Sequence, residues 1–553
     1  MKGLIQKIVC FSAAAVLMVS SAACQKNAEP AKTDTKTSEA SNYFNATGLP
    51  IAKQPITLRA MVKHANMSKK NFSEKELFQK WSKETNVNID WIEISGTNQV
   101  WDEKVSLAIN SGDTPDMIYA GNIQENDLPT AVAEGFLLPL DDLIAKYAPN
   151  EQKLLKEYPH LKSQAIYLSD GKQYLYMGLS EKSEAIVRAP LFINKVWMDK
   201  LNLKMPTTVD EYYQVLKAFK EKDPNGNGKV DEIPFSTDKD SPISPLFSSW
   251  GISESKTQDK LITINNGKVS FNYTNSKLFE ALQYLNKLYS EGLIDAEFMT
   301  QDSNQFKGKG KANPVLFGSL IEYAPDNTVG TKNAEGFQVI PPLKGPDGTQ
   351  KWPVNANALS GSTNFMIFKS CKYPEAAIRW IDYLNDGLNA IIHKRGPEGL
   401  TWAKDDATKT YWSFEVEMAA KGQNMQEIAY TEASWNGPTM DLQAIHGYKF
   451  VDKDPNSQGN RKKGWTEVYK PYLFAEYWPN MGIRKTTDID KDMALVFADL
   501  QKYTKTFLAE SIMKGIDKQK WDAHITKCKA LKADEYVKYM QAIYDEYLKT
   551  VKK

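Results

Sequence analysis

Between Ile56 and Tyr119 the spacing of apolar residues switches between strand-like and helical and back, and this alternation restricts the fold more than any other feature of the chain. Ile56-Thr-Leu-Arg-Ala-Met-Val62 reads as a strand, and Glu74 to Glu84 then places Leu77, Phe78 and Trp81 on one helical face. Val87 to Ile94 alternates as a second strand, and a helix near Trp101 to Ile109 leads through Ser111-Gly-Asp-Thr-Pro-Asp116 to Met117-Ile-Tyr119. Strand, helix and strand in this order imply an α/β lobe with a parallel sheet. A 553-residue chain also exceeds what one hydrophobic core supports, so two or more lobes are expected.

The N-terminus predicts export. Lys2 and Lys7 precede an apolar stretch from Ile8 to Val19, and Ser20, Ser21, Ala22 and Ala23 follow it, as in a signal peptide spanning 1–23. That stretch is shorter than the roughly 20 apolar residues needed to cross a bilayer, and no later segment approaches that length. Ser-Ala-Ala-Cys24 resembles the lipobox of bacterial lipoproteins, in which the thiol is acylated. Ser21 stands where such motifs usually carry an aliphatic residue, so plain secretory cleavage is the alternative. Residues 24–45 are too polar to fold alone and read as a lipidated Cys24 with a flexible tether, reaching up to roughly 70 Å when extended.

Charge lends no support to two kinds of partner. Of 69 Lys and Arg, two leave with the signal, so 67 basic residues face 68 acidic ones, with no block of like charge. Neither nucleic-acid binding nor a polybasic membrane patch follows from this balance. Cys371 and Cys528 are the remaining cysteines beyond the signal and Cys24, too few for a disulfide scaffold, and are read as unpaired thiols.

Thr208 and Glu211 form a capping box for a helix carrying Val209, Tyr212, Leu216 and Phe219 on one face. The helix ends near Lys220, before Asp223-Pro-Asn225-Gly-Asn227-Gly228-Lys229-Val-Asp231-Glu232. Oxygen-bearing residues at positions 1, 3, 5 and 9 with glycine at 6 match an EF-hand loop, and the Lys229 carbonyl can complete a set of hard ligands for a structural Ca2+. Pro234 replaces the bidentate glutamate of position 12. A plain Asx and glycine turn without metal is the alternative.

Catalytic signatures are missing. The five histidines, His64, His160, His393, His446 and His524, form no H-E-x-x-H, and there is no G-x-S-x-G, Walker A or C-x-x-C motif. The expectation is a protein that is not an enzyme, although two well-placed carboxylates of a glycosidase would leave no motif. The 13 Trp and 26 Tyr supply rings on which sugar C–H faces stack. The candidates beside turns are Trp435, Trp250, Trp402, Trp352, Tyr477 and Trp478, with Arg188, Arg395 and Glu398 as polar partners. For each, packing or a surface salt bridge is the alternative. Trp81, Trp101, Trp197, Trp380 and Trp521 lie on helical faces and are assigned to the core.

The first βαβ stretch closing on Ser-Gly-Asp-Thr-Pro-Asp116, and Gly135-Phe-Leu-Leu-Pro-Leu-Asp-Asp-Leu143 after it, resemble the first lobe of family 1 extracellular solute-binding proteins. Phe192-Ile-Asn-Lys-Val-Trp-Met-Asp-Lys-Leu-Asn-Leu-Lys-Met-Pro-Thr-Thr208 resembles the alginate-oligosaccharide-binding and LipO-like lipoprotein subgroup. Matches recur at Cys371-Lys-Tyr-Pro-Glu-Ala-Ala377, Gly396-Pro-Glu-Gly-Leu-Thr-Trp402 and Ile516-Asp-Lys-Gln-Lys-Trp-Asp522.

The resemblance implies a type II periplasmic-binding-protein fold, two α/β lobes joined by a hinge around a ligand cleft. It places the N-terminal lobe at 46–175 plus 345–410 and the C-terminal lobe at 176–344 plus 411–553. It also implies that Asp231 and Glu232 hold calcium in the shortened loop. The implied function is that of a monomeric, extracytoplasmic lipoprotein anchored to the bacterial cell membrane. It would bind an oligosaccharide by hinge closure and deliver it to the transmembrane permease of an ABC importer. A surface sensor or adhesin, or a peptide receptor, on the same fold is the alternative.

Overall fold

The computed structural model describes residues 43–551 apart from 122, 124–130, 133, 159–170, 182–186, 188, 239–242, 255–260, 355–358, 456 and 479–486. The signal, Cys24, the tether up to 42 and Arg188 therefore lie outside the described residues.

The strands, in chain order, are β1 (Ile56–Lys63), β2 (Val87–Ile94), β3 (Met117–Tyr119), β4 (Tyr176–Glu181), β5 (Leu191–Asn194), β6 (Ile262–Asn265), β7 (Lys268–Phe271), β8 (Ser319–Ile321), β9 (Phe337–Val339), β10 (Leu359–Ile367), β11 (Trp402–Asp405), β12 (Thr410–Ser413), β13 (Met440–Asp441) and β14 (Lys449–Phe450). The largest sheet has the order β13-β4-β10-β3-β1-β2. β1 pairs in parallel with β2, from Ile56↔Val87 to Lys63↔Ile94, and with β3 from Ala60↔Met117 to Val62↔Tyr119. The crossovers are α1 (Glu76–Thr85), which buries Leu77, Phe78 and Trp81, and α2 (Asn98–Ser111), which buries Trp101, Val105 and Ile109. Thr97 caps α2 by accepting the Val100 N–H, and Gly112, at φ 74°, ends it in the left-handed region that only glycine enters freely.

A second core forms around β5, which pairs antiparallel with β8 and β9. Helix Val209–Glu221, with its Thr208–Glu211 capping box in place, buries Tyr212, Leu216 and Phe219 against it. Helices Ser276–Ser290, Thr487–Lys514, Lys518–Ala530 and Ala533–Val551 complete this core. Among the described residues no helix is long and apolar enough to cross a membrane. Cys371 and Cys528 are buried and unpaired.

The α/β class and the two-lobed organisation agree with the sequence reading, but the sheet divides the chain differently from the expected lobe boundaries. β4, at the start of the segment expected in the C-terminal lobe, lies inside the first sheet between β13 and β10. β13 pairs with β4 through Met440↔Leu179, so residues beyond 411 return to the N-terminal lobe. The small sheet β11-β12-β14 packs beside it over Ile391, Trp402, Tyr411 and Tyr448. Trp352, expected in the N-terminal lobe, joins the second core through a T-shaped contact with Tyr469. Among the described residues the chain thus passes between the cores at three places: between β4 and β5, between β9 and β10, and between β14 and helix Gln458–Tyr469.

Candidate functional site

Parallel pairing brings the C-terminal ends of β1, β2 and β3 to one edge of the sheet, and ligands of open α/β sheets bind outside that edge. A cavity of about 400 Å³ lies there. Lys63 at the end of β1 with His64 to Ser68 after it, Gly96 and Thr97 after β2 and Ala120 after β3 form one side, and Tyr430 with Ala433 to Asn436 form the other. The turn after β3 is tight: Ala120 has φ 53°, and a Cβ on Gly121 would stand 2.1 Å from the Trp101 ring. Gly437 is also closely packed, since its Cβ would meet Ser434 Oγ at 2.5 Å and Tyr119 Oη at 2.9 Å.

Polar pairs hold the walls. His64 Nδ1 lies 2.8 Å from Glu93 Oε2, while Glu93 Oε1 accepts the Phe72 N–H at 2.6 Å. Lys75 donates to the Tyr430 and Ala433 carbonyls, both at 2.8 Å, and Lys70 pairs with Glu432 at 2.7 Å. Burial lowers the Lys75 ammonium to about 8 against the pull of Glu93 and Glu432. Below the cavity Tyr119 Oη lies 2.5 Å from His393 Nε2, and desolvation lowers His393 to about 3, which keeps this imidazole neutral.

Trp435 is half-buried in the cavity wall, with Lys394 Nζ 5.5 Å and Arg395 Cζ 5.6 Å from its ring centre. An aromatic face beside imidazole, amide and backbone groups stacks a sugar ring and bonds its hydroxyls. Of the ligand-binding candidates among the described residues, Trp435 alone lines this cavity.

The other rings pack elsewhere. Trp250 is buried against Tyr284 in the second core, Trp402 is fully buried with its Nε1 donating to the Gly396 carbonyl, and Trp478 packs on Tyr544. Tyr477 is half-buried beside Tyr544 and Tyr547. Turn residues that looked like surface are thus covered by distant segments that local spacing does not reveal. Arg395, expected to meet ligand, is buried and 3.1 Å from Asp441, because an unpaired guanidinium could not remain in that interior. Glu398 is exposed, 4.0 Å from Lys404. His64, Asn66 and Asn436 were missed. Their signal was position, immediately after a parallel strand or after Trp435.

The loop Asp223–Glu232 closes on itself. Asp223 Oδ1 accepts the Gly226 and Asn227 N–H groups and Oδ2 that of Gly228. Burial pushes the Asp223 carboxyl up, but these backbone bonds outweigh it and hold the group below its ordinary value. The Asn225 and Asn227 amides donate to Asp231 at 2.9–3.1 Å. Glu232 is buried, its Oε2 has no hydrogen-bond partner, and desolvation together with Asp223 and Asp231 raises its carboxyl. Among the described residues no group of three His, Cys, Asp or Glu converges as a metal cluster. Three acidic side chains, one of them with an orphaned buried oxygen, and two amides nonetheless form an oxygen-rich set suited to a hard cation.

Residues 66–386 match the family of bacterial extracellular solute-binding proteins. The chain is 31% identical over 561 residues, 98% of this chain and 99% of the other, to the fructooligosaccharide ABC transporter substrate-binding protein FusA of Streptococcus pneumoniae. It superimposes on the structure of that protein in complex with kestose with a TM-score of 0.78 at 30% identity, covering 89% of this chain and 99% of the other. A structure of an EF-hand mutant of the same protein with fructo-nystose gives a TM-score of 0.78 at 29% identity with the same coverage.

Proposed function

The chain belongs to the bacterial extracellular solute-binding proteins, and from that premise we propose that it is the substrate-binding lipoprotein of an ABC importer. It clamps an oligosaccharide between its lobes and hands it to the permease. The observation that carries the reading is the cavity outside β1, β2 and β3 with Trp435 in its wall. A volume of about 400 Å³ falls within the range of small-molecule sites, and the stacking face favours sugar over peptide. The relative that handles fructooligosaccharides spans nearly the whole chain, which makes short fructans the first ligands to try.

Three finer assignments accompany it. Cys24 carries the lipid, and residues after it form the tether. Asp223, Asn225, Asn227, Lys229, Asp231 and Glu232 hold Ca2+, which would neutralise the three carboxylates and pin the loop; the EF-hand of the pneumococcal relative supports this. Lobe closure buries the ligand.

A thermal-shift screen with kestose, fructo-nystose and a panel of other oligosaccharides tests the reading. A ligand at 100 times its Kd should add about 2.7 kcal/mol of stability. If no glycan raises the melting temperature while a peptide pool does, the carbohydrate assignment is lost.

A further inference from the structure

We propose that Asp441 is a positioning residue for ligand binding, acting through Arg395 and Lys394 to hold the Trp435 ring as a preset stacking platform. This rests on the reading of the Trp435 cavity as the ligand site. Asp441 ends the two-residue strand β13 at the edge of the main sheet and is almost completely buried. Its carboxylate gathers Arg395 Nη2 at 3.1 Å, Lys394 Nζ at 3.3 Å and His446 Nε2 at 3.4 Å, and accepts the Tyr411 hydroxyl at 2.5 Å.

Both cations that it anchors also sit within 6 Å of the Trp435 ring centre, the distance over which a cation and a ring face attract. Arg395 is fixed from its other sides by Tyr411 at 5.4 Å and Phe450 at 5.2 Å, so it is wedged and cannot swing toward ligand. Two side chains from one helix end, Asn389–Arg395, thereby link a buried anion to a half-buried ring. A ring fixed before the ligand arrives loses less rotamer entropy on binding. The cluster acts on the ring and not on the sugar: Asp441 and Arg395 are buried, and neither they nor Lys394 lines the cavity.

The test compares Lys394→Met, Lys394→Arg, Asp441→Asn and Trp435→Phe with the wild-type protein. Lys394→Met keeps the Arg395–Asp441 pair and is the variant expected to fold normally, whereas Asp441→Asn leaves the buried Arg395 and the partly buried Lys394 without their counter-charge. Three quantities are read: melting temperature, kestose affinity by calorimetry, and acrylamide quenching of Trp435 emission in the free protein. The emission is isolated by subtracting the Trp435→Phe spectrum. The expected result for Lys394→Met is an unchanged melting temperature, stronger quenching and kestose binding weakened by about three- to tenfold, with Lys394→Arg restoring both.

Unchanged quenching and affinity in Lys394→Met overturn the proposal, and so does loss of the fold in that variant, which would assign the cluster to stability alone. If the wild-type protein binds no glycan, the carbohydrate reading fails, and quenching in the free protein still decides whether the cluster holds the ring.

Discussion

At the scale of single residues, burial separates tryptophans that the sequence presents alike. Trp435 and Trp402 both stand beside turns, but Trp435 lines the cavity while Trp402 lies wholly inside, bonded through Nε1 to the Gly396 carbonyl. Trp435→Ala is therefore expected to weaken kestose binding about tenfold or more with little change in melting temperature. Trp402→Phe should cost about 1–2 kcal/mol of stability and leave affinity unchanged, as calorimetry and thermal melts will show. A second contrast concerns Asp382, which accepts from Asn150, from the Glu151 N–H and from the Tyr176 hydroxyl, yet is raised by burial from its ordinary 3.8 to about 6. A raised carboxyl stays protonated in the fold after the unfolded chain has ionised, so its contribution is complete below about pH 4 and is lost as the pH climbs to about 6. Across that window Asp382→Asn should show a shallower fall of stability than the wild-type protein, by about 2–3 kcal/mol, and equal slopes would refute the assignment.

At the scale of elements, what the sequence revealed was what neighbours decide. The strands and helices from Ile56 to Tyr119 appear within a few residues of their expected limits because each is set by its own apolar period and by local caps such as Thr97 and Gly112. β13 was invisible because two residues carry no period, and it is a strand only by pairing with β4, some 260 residues earlier in the chain. The loop Asp223–Glu232 was legible for the same local reason, and it also carries a prediction. Its position is framed by helix Val209–Glu221 on one side and by the bridges Ile233↔Phe317 and Phe235↔Ile294 on the other, so loosening it disturbs the second core. Burial raises the Glu232 carboxyl, and the neighbouring Asp223 and Asp231 add to that rise, so an ion that neutralises the three would stabilise the loop. Adding EDTA to calcium-loaded protein should lower the melting temperature by several degrees, equivalent to about 2–3 kcal/mol, and Asp231→Ala should remove the response. A response to EDTA that survives Asp231→Ala would place the metal elsewhere.

At the scale of the whole molecule, lobe membership follows from long-range pairing and core packing, which is why the boundaries near 176, 345 and 411 differ from those expected. The buried side chains form separate clusters, one around β1, β3 and β10 and the other around β5, β8 and β9, and among the described residues the chain passes between them at three places. Two packed cores joined by a few passes of the chain have few covalent restraints on their relative rotation, and such junctions permit hinge motion at low cost. The Trp435 cavity is lined from the N-terminal lobe alone, so a bound oligosaccharide leaves one face uncovered unless the other lobe moves over it. Covering that face gives the ligand a greater affinity for the closed form than for the open one, and only such a difference shifts the equilibrium. Small-angle scattering with saturating kestose should therefore record a smaller radius of gyration than the free protein. Trp435→Ala should reach the same compact value at a correspondingly higher kestose concentration, because it weakens the grip without altering the hinge. A radius that stays constant while calorimetry shows the site filled would mean that the lobes do not close, and the ligand would then be carried in an open groove.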